Sequence, residues 1–235
     1  MHGRDWFCVL VVVLLAPAWA DAKNLTIRQR VTGSGNVAPQ EQMLYWTDTM
    51  RVTDEPHRRS IVNFSMQTLT SIDKDRKAYS VRTFDELRKQ SEQAKQHFDR
   101  MPPAAKKHLE GMDTAVTLHP TGATQTISGY EAKEYAISGG PYGGSLWATE
   151  AIDLGPMAQE WRELAGRIAN GPGPAGELAE AMTTIKGLPL RITLTTAIAG
   201  KRFTVTTEAV EISEKAAPAD VLAVPDGFKK VGGGP

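Results

Sequence analysis

From Leu25 onward, apolar and polar side chains take turns along most of the chain. A period of two is the mark of a half-buried antiparallel strand, because successive side chains leave a strand on opposite faces. In residues 25–31, Leu25, Ile27 and Val31 fall on one face, and Arg28 and Arg30 on the other. Short strands are expected at 43–46 and 50–52, joined through Thr47-Asp48-Thr49, then at 60–64, 67–72 and 77–82. Asp73-Lys74-Asp75-Arg76 has the composition of a turn between the last two. The most regular strand is 188–196, apolar at 188, 190, 192 and 194, with 202–212 as its partner across Ala199-Gly200-Lys201. Pro189 stands near the start of that strand or on an edge, where its missing N–H is tolerated.

Two inserts break the alternation with helical spacing. Phe84, Leu87, Ser91, Ala94, Phe98 and Met101 recur at steps of three and four, tracing one helix face. Thr83 with Glu86 three residues on forms a capping-box pattern at its start. Met101-Pro102-Pro103 ends it, and a shorter helix is expected over 104–110, stopping at Gly111. In the second insert Met157, Trp161, Leu164, Ala165 and Ile168 share a stripe. A Gly/Pro loop at 170–174 then leads into a helix over 175–185. The residues alone thus predict one domain of mainly antiparallel sheet with helices over one face. Strand order is not readable from spacing.

The first twenty residues read as a secretory signal peptide. Arg4 precedes an uninterrupted apolar stretch over 7–16, Pro17 breaks it, and Ala18-Trp19-Ala20 supplies the small residues a signal peptidase reads. Cleavage after Ala20 is expected, with Ala22 the alternative. The stretch is shorter than the ~20 residues a membrane-spanning helix needs, so no transmembrane segment is expected after cleavage. The expected domain is therefore 21–231, followed by a disordered tail over 232–235. The single cysteine, Cys8, lies inside the leader, so the mature chain has none and its core must stabilise it without disulfides. These features predict a periplasmic or secreted bacterial protein.

With 27 Lys+Arg against 27 Asp+Glu, the chain lacks the basic surplus a nucleic-acid binder needs. The balance conceals an asymmetry: residues 21–110 carry a net +4 and residues 111–235 a net −4. Arg28, Arg30, Arg51, Arg58 and Arg59 could line one polar sheet face and attract an anionic head group, or simply belong to a mixed soluble surface.

Motifs that carry chemistry are missing. His57, His97, His108 and His119 have no zinc-ligand spacing, and no G-x-S-x-G elbow occurs. Gly139–Gly144 has no Lys-Ser/Thr ending for a phosphate cradle and reads as a hairpin loop needing positive φ. Asp73-Lys74-Asp75 lacks the glycine and later glutamate of a calcium loop. No catalytic residue, metal site or cofactor is expected, and the chain reads as a non-enzyme.

The apolar side chains left over from the strands and inserts have two possible uses. Met43, Tyr45, Phe84, Leu87, Phe98, Met101, Trp147, Met157, Trp161 and Leu164 either fill a core or line an apolar pocket between sheet and helices. Trp46 and Met50 belong to the same set.

Three stretches carry a resemblance. They are Tyr45-Trp46-Thr47-Asp48-Thr49-Met50-Arg51-Val52 leading to Ile72-Asp73-Lys74-Asp75-Arg76-Lys77-Ala78-Tyr79; Ile127-Ser128-Gly129-Tyr130-Glu131-Ala132-Lys133-Glu134-Tyr135; and Gly187-Leu188-Pro189-Leu190-Arg191 with Val224-Pro225-Asp226-Gly227-Phe228-Lys229-Lys230-Val231. In order and spacing they resemble a family of exported bacterial proteins known only as domain of unknown function 4412. More distantly they resemble the LolA/LolB-like periplasmic lipoprotein carriers. The resemblance implies an α+β fold, a curved antiparallel half-barrel with helical inserts covering its concave face. It implies a non-catalytic function, binding a lipid, a lipoprotein acyl chain or another amphipathic ligand. The alternative is an envelope protein-interaction module with a filled core and no small ligand. No ligand-contacting residue of the carriers maps onto this chain, and neither ligand identity nor oligomeric state follows from it.

Overall fold

In a computed structural model, the structure describes residues 24–34, 38–102, 116–155, 159–164, 174–198 and 201–232. The leader, Met157, the expected helix 104–110 and the last three residues of the tail lie outside them, as do Ala199 and Gly200 of the expected hairpin turn.

The alternating segments become two antiparallel meanders. The first runs β1 (Leu25–Gly33), β2 (Gln40–Trp46), β3 (Met50–Asp54), β4 (Arg58–Asn63), β5 (Thr68–Asp73) and β6 (Ala78–Thr83). The second runs β7 (Thr117–Ile127), β8 (Tyr130–Gly139), β9 (Tyr142–Thr149), β10 (Leu188–Ile198) and β11 (Lys201–Ser213). β1 pairs with β11 and joins them into one sheet, so strands nearly 190 residues apart, as in Thr26↔Ser213, lie side by side. A two-strand-residue β12 (Lys229–Lys230) returns to the free edge of β6, in parallel. The sheet order is β12-β6-β5-β4-β3-β2-β1-β11-β10-β9-β8-β7: a large, curved, open and mostly antiparallel sheet of twelve strands.

The expected hairpin turn is present, with positive φ at Gly139 and Gly140, but it is shorter than the glycine spacing predicts. The expected 139–144 loop shrinks to Gly140 and Pro141, and Gly143-Gly144-Ser145 lies inside β9. Gly144 has φ 140°, and a Cβ there would sit 1.9 Å from the Thr193 carbonyl oxygen of β10. Glycine at this point serves close strand approach rather than a turn. Pro189 sits at a register shift between β9 and β10, where one residue bulges out of the ladder.

Helix α1 (Phe84–Asp99) starts at the predicted cap. Thr83 Oγ1 accepts from the Glu86 N–H at 3.1 Å, and the Glu86 carboxylate accepts from the Thr83 N–H at 2.7 Å. Only its first two turns engage the sheet: Leu87 and Ser91 are buried, while 92–97 are exposed, Ala94 among them. Residues 159–164 are helical, and α2 spans Pro174–Thr183, ending two residues short of the expected 185.

Three apolar clusters hold the sheet. The first gathers Leu25, Ile27, Leu44, Trp46, Val62, Phe64 and Leu190 with Phe84, Trp161 and Leu164 from the helical segments. The second lies on the opposite face of β2–β5. There Tyr45, Val52, Ile61 and Ile72 pack under the chain's last segment through Val221, Leu222, Val224 and Phe228. The third places Ile137, Leu146, Ile192 and Leu194 of the second meander against Leu178 and Met182 of α2 and Ile185. The helical segments 84–91, 159–164 and 174–183 therefore share the face of Leu44 and Trp46, and the C-terminal strap takes the other.

Candidate functional site

Strand parity decides which side chains can meet. β1 pairs with β2 as Leu25↔Trp46 and Ile27↔Leu44, so these four share a face, and Trp46↔Arg51 carries that face onto β3. Continuing from the pair, the register Arg51↔Val62 and Val62↔Leu69 keeps Arg51 among apolar neighbours. On this face a cavity of about 340 Å³ opens between the sheet and the helical segments. Leu44 and Trp46 of β2 and Leu188, Leu190 and Ile192 of β10 form its floor. Trp161 and Leu154 wall one side, and Ala179 and Met182 of α2 with Ile185 wall another.

Arg51 brings a cation into this mostly apolar lining. Its guanidinium carbon lies 4.0 Å from the centre of the Trp161 ring and 5.5 Å from that of Trp46. The two indoles meet edge to face, 6.5 Å apart and at 85°. The residue as a whole is half-buried, but its Nε is fully occluded and has no hydrogen-bond partner among the described residues. Trp46 Nε1 is occluded and unpartnered in the same way. Burial pushes the Arg51 guanidinium down to about 10 from its usual value, which still leaves it protonated at neutral pH. Arg162 and Arg191 also border the cavity, and no carboxylate does among the described lining residues. Arg191 is already committed, with Nε 2.8 Å from Glu208 and Nη1 3.0 Å from Gln125.

The expected pocket residues are spread over the fold. Trp161 lines the cavity. Leu164 is buried beside it and, with Phe84, borders a separate groove near Phe64. Leu87 is buried under α1, and Phe98 and Met101 lie half-buried at that helix's far end. Trp147 packs half-buried against the first cluster, on the β9 position paired with Arg191. Met43 and Tyr45 occupy the opposite sheet face, under the strap, because parity sends them away from Leu44 and Trp46. The cavity floor of Leu44, Leu188, Leu190 and Ile192 was missed as a site. Its apolar alternation was visible but indistinguishable from ordinary core.

The expected arginine array is divided as well. Arg28 pairs with Glu41 at 3.2 Å and Glu211 at 3.1 Å, and Arg30 lies 3.7 Å from Glu41. Arg59 pairs with Asp54 at 2.8 Å on the strap face, whereas Arg58 is exposed beside a polar hollow with Thr53, Ser60, Ser71 and Arg82. Only Arg51 of the five enters the apolar cavity. Among the described residues no group of three His, Cys, Asp or Glu could hold a metal ion, and no helix is long and apolar enough to cross a membrane.

These features describe a curved, open, mostly antiparallel sheet beside a mostly apolar cavity bordered by three arginines, of which Arg51 and Arg162 have no ion pair among the described residues. The chain belongs to the DUF4412 family, a domain of unknown function, whose model matches residues 45–228. A search of curated proteins returned no match. Solved structures to which the chain is similar include PNGF-II in its C2 and P21 crystal forms, each 11% identical, with TM-scores of 0.43 and 0.45. They cover 88% and 89% of this chain, which spans only 30% and 31% of theirs. MucB is 12% identical with a TM-score of 0.35, covering 88% of this chain and 60% of its own.

Proposed function

We propose that this chain is an exported protein of the bacterial envelope, periplasmic or secreted, that binds a lipid or other amphipathic molecule without catalysing a reaction. On this reading the helical inserts cover the concave side of the sheet and the ligand lies between them. The observation that carries it is the cavity of about 340 Å³, floored by Leu44, Leu188, Leu190 and Ile192. That volume falls at the small end of the roughly 300–1,000 Å³ typical of small-molecule sites. An apolar space of this size costs packing energy if it stays empty, so a binding role explains why it persists. The experiment is native mass spectrometry of the protein purified from a bacterial envelope, followed by titration with a fluorescent fatty acid. A co-purifying apolar mass or saturable probe binding is expected. A ligand-free protein that does not bind the probe overturns the reading.

Phe203 and Val205 of β11, 41% and 43% exposed, favour a second reading, an envelope interaction module that acts through its surface. In-cell cross-linking from β11 to one specific protein, with no ligand in the cavity, is the result that reading requires.

A further inference from the structure

The cavity lining has a polarity of its own. Two of its N–H donors, Arg51 Nε and Trp46 Nε1, are occluded from solvent and have no acceptor among the described residues. Buried donors in folded proteins are almost always paired, and an exception calls for an explanation. A guanidinium packed against two indole rings gains cation–π attraction, but ring faces do not replace an acceptor. No carboxylate stands among the described lining residues to provide one, although ion-paired arginines are plentiful elsewhere in the fold.

We infer that the ligand is a single-chain anionic amphiphile, its apolar tail in the cavity and its carboxylate or phosphate head held by Arg51. This inference rests on the cavity being a binding site and adds the charge of what occupies it. Guanidinium suits such a head because its forked N–H groups match the oxygen geometry of carboxylates and phosphates. Arg162, on the helical segment with Trp161, bears no ion pair among the described residues and adds positive charge to the cavity border. A cationic amphiphile would meet like charge from Arg51 and Arg162.

The test is calorimetric titration of the full chain with four probes of equal tail length: decanoate, decyl phosphate, decan-1-ol and decyltrimethylammonium. The two acids are expected to bind at least about tenfold tighter than the alcohol, the gain from a hydrogen bond to a charged group. The cation should bind weakest. Comparing decanoate with decyl phosphate tells a carboxylate source from a phosphate one. In Arg51→Met the acids should fall to the alcohol's affinity while decan-1-ol keeps its own; Arg51→Lys should restore part of the preference. Equal binding of acid, alcohol and cation by the wild-type protein overturns the anionic head while leaving the cavity a binding site. Binding of none overturns both. Because the wild-type ranking alone decides between these outcomes, the test does not depend on the variants folding.

Discussion

Arg51 and Arg59 stand on neighbouring strands, β3 and β4, and point to opposite faces of the same sheet. Arg59 is 8% exposed, and each of its three nitrogens has a hydrogen-bond partner. Its Nε and Nη2 donate to Asp54 at 2.8 and 3.4 Å, and its Nη1 donates to the Asp220 carbonyl of the strap at 2.8 Å. Asp54 also holds Lys74 at 2.8 Å, so the buried charge sits in a small network. Arg51 faces two indoles and has no anion among the described residues. A buried arginine that ties a strap to a sheet comes with its own acceptors. One that lacks them is a cost to the fold and marks a place where a partner from outside would complete the pairing.

The comparison is broken most directly by removing each cation in turn. Arg59→Met leaves Asp54 with only Lys74 and strips the strap of its side-chain anchor. It should destabilise the protein by about 3 kcal/mol, read as a lower urea midpoint. Val221→Ala on the strap, where Val221 is 6% exposed in the cluster with Tyr45 and Ile72, should cost about 1–2 kcal/mol by the same measurement. If Arg59→Met is neutral, the strap face is not the structural side of this pair.

Much of this architecture was legible in the sequence, and its failures have physical causes. β1 through β6 and the pair β10–β11 emerged from alternation alone, and Thr83 with Glu86 marked the start of α1. β7 and β9 did not. β7 is exposed on nearly every residue from His119 to Thr126 and contains Pro120 and Gly122, so no buried face imposes a period. β9 opens with Tyr142-Gly143-Gly144-Ser145, where Gly144 answers to the neighbouring Thr193 backbone rather than to a turn. The β1–β11 pairing is invisible locally, because it joins the two ends of the domain. The candidate site suffered from the opposite ambiguity. Met43-Leu44-Tyr45-Trp46 is apolar at every position because β2 is buried on both faces, under the strap on one side and beside the cavity on the other. Parity therefore could not tell lining from core. Arg51 read as part of a basic set, and its distinguishing property is the absence of a described acceptor, which no spacing encodes.

The same substitution at the two arginines should have opposite signs. Arg51→Met exchanges a half-buried cation with no acceptor among the described residues for an apolar chain of similar length, and should stabilise the ligand-free protein by about 1 kcal/mol after the lost cation–π contacts are subtracted. Thermal unfolding would then show a raised Tm for this variant and a lowered one for Arg59→Met. A structural Arg51 would instead lose stability on substitution, and that result would erase the contrast between the faces.

The smallest effect concerns acid. Burial alone would raise the pKa of Asp54, but hydrogen bonds from Arg59 and Lys74 outweigh it and hold the carboxyl below the usual carboxylate range. A depressed folded pKa means that the unfolded chain binds the proton first as pH falls. The stability Asp54 contributes is therefore complete above about pH 5 and is lost as pH drops through the unfolded value near 3.9 toward the lower folded one. Asp54→Asn should lower stability at pH 7 and flatten its decline between about pH 5 and 3, measured as urea midpoints at each pH. Arg51→Met should leave the slope of that decline unchanged, because its described surroundings offer no carboxylate whose protonation the substitution would alter. A changed slope in Arg51→Met would reveal an acidic partner for the cation and remove the asymmetry on which the two faces have been distinguished.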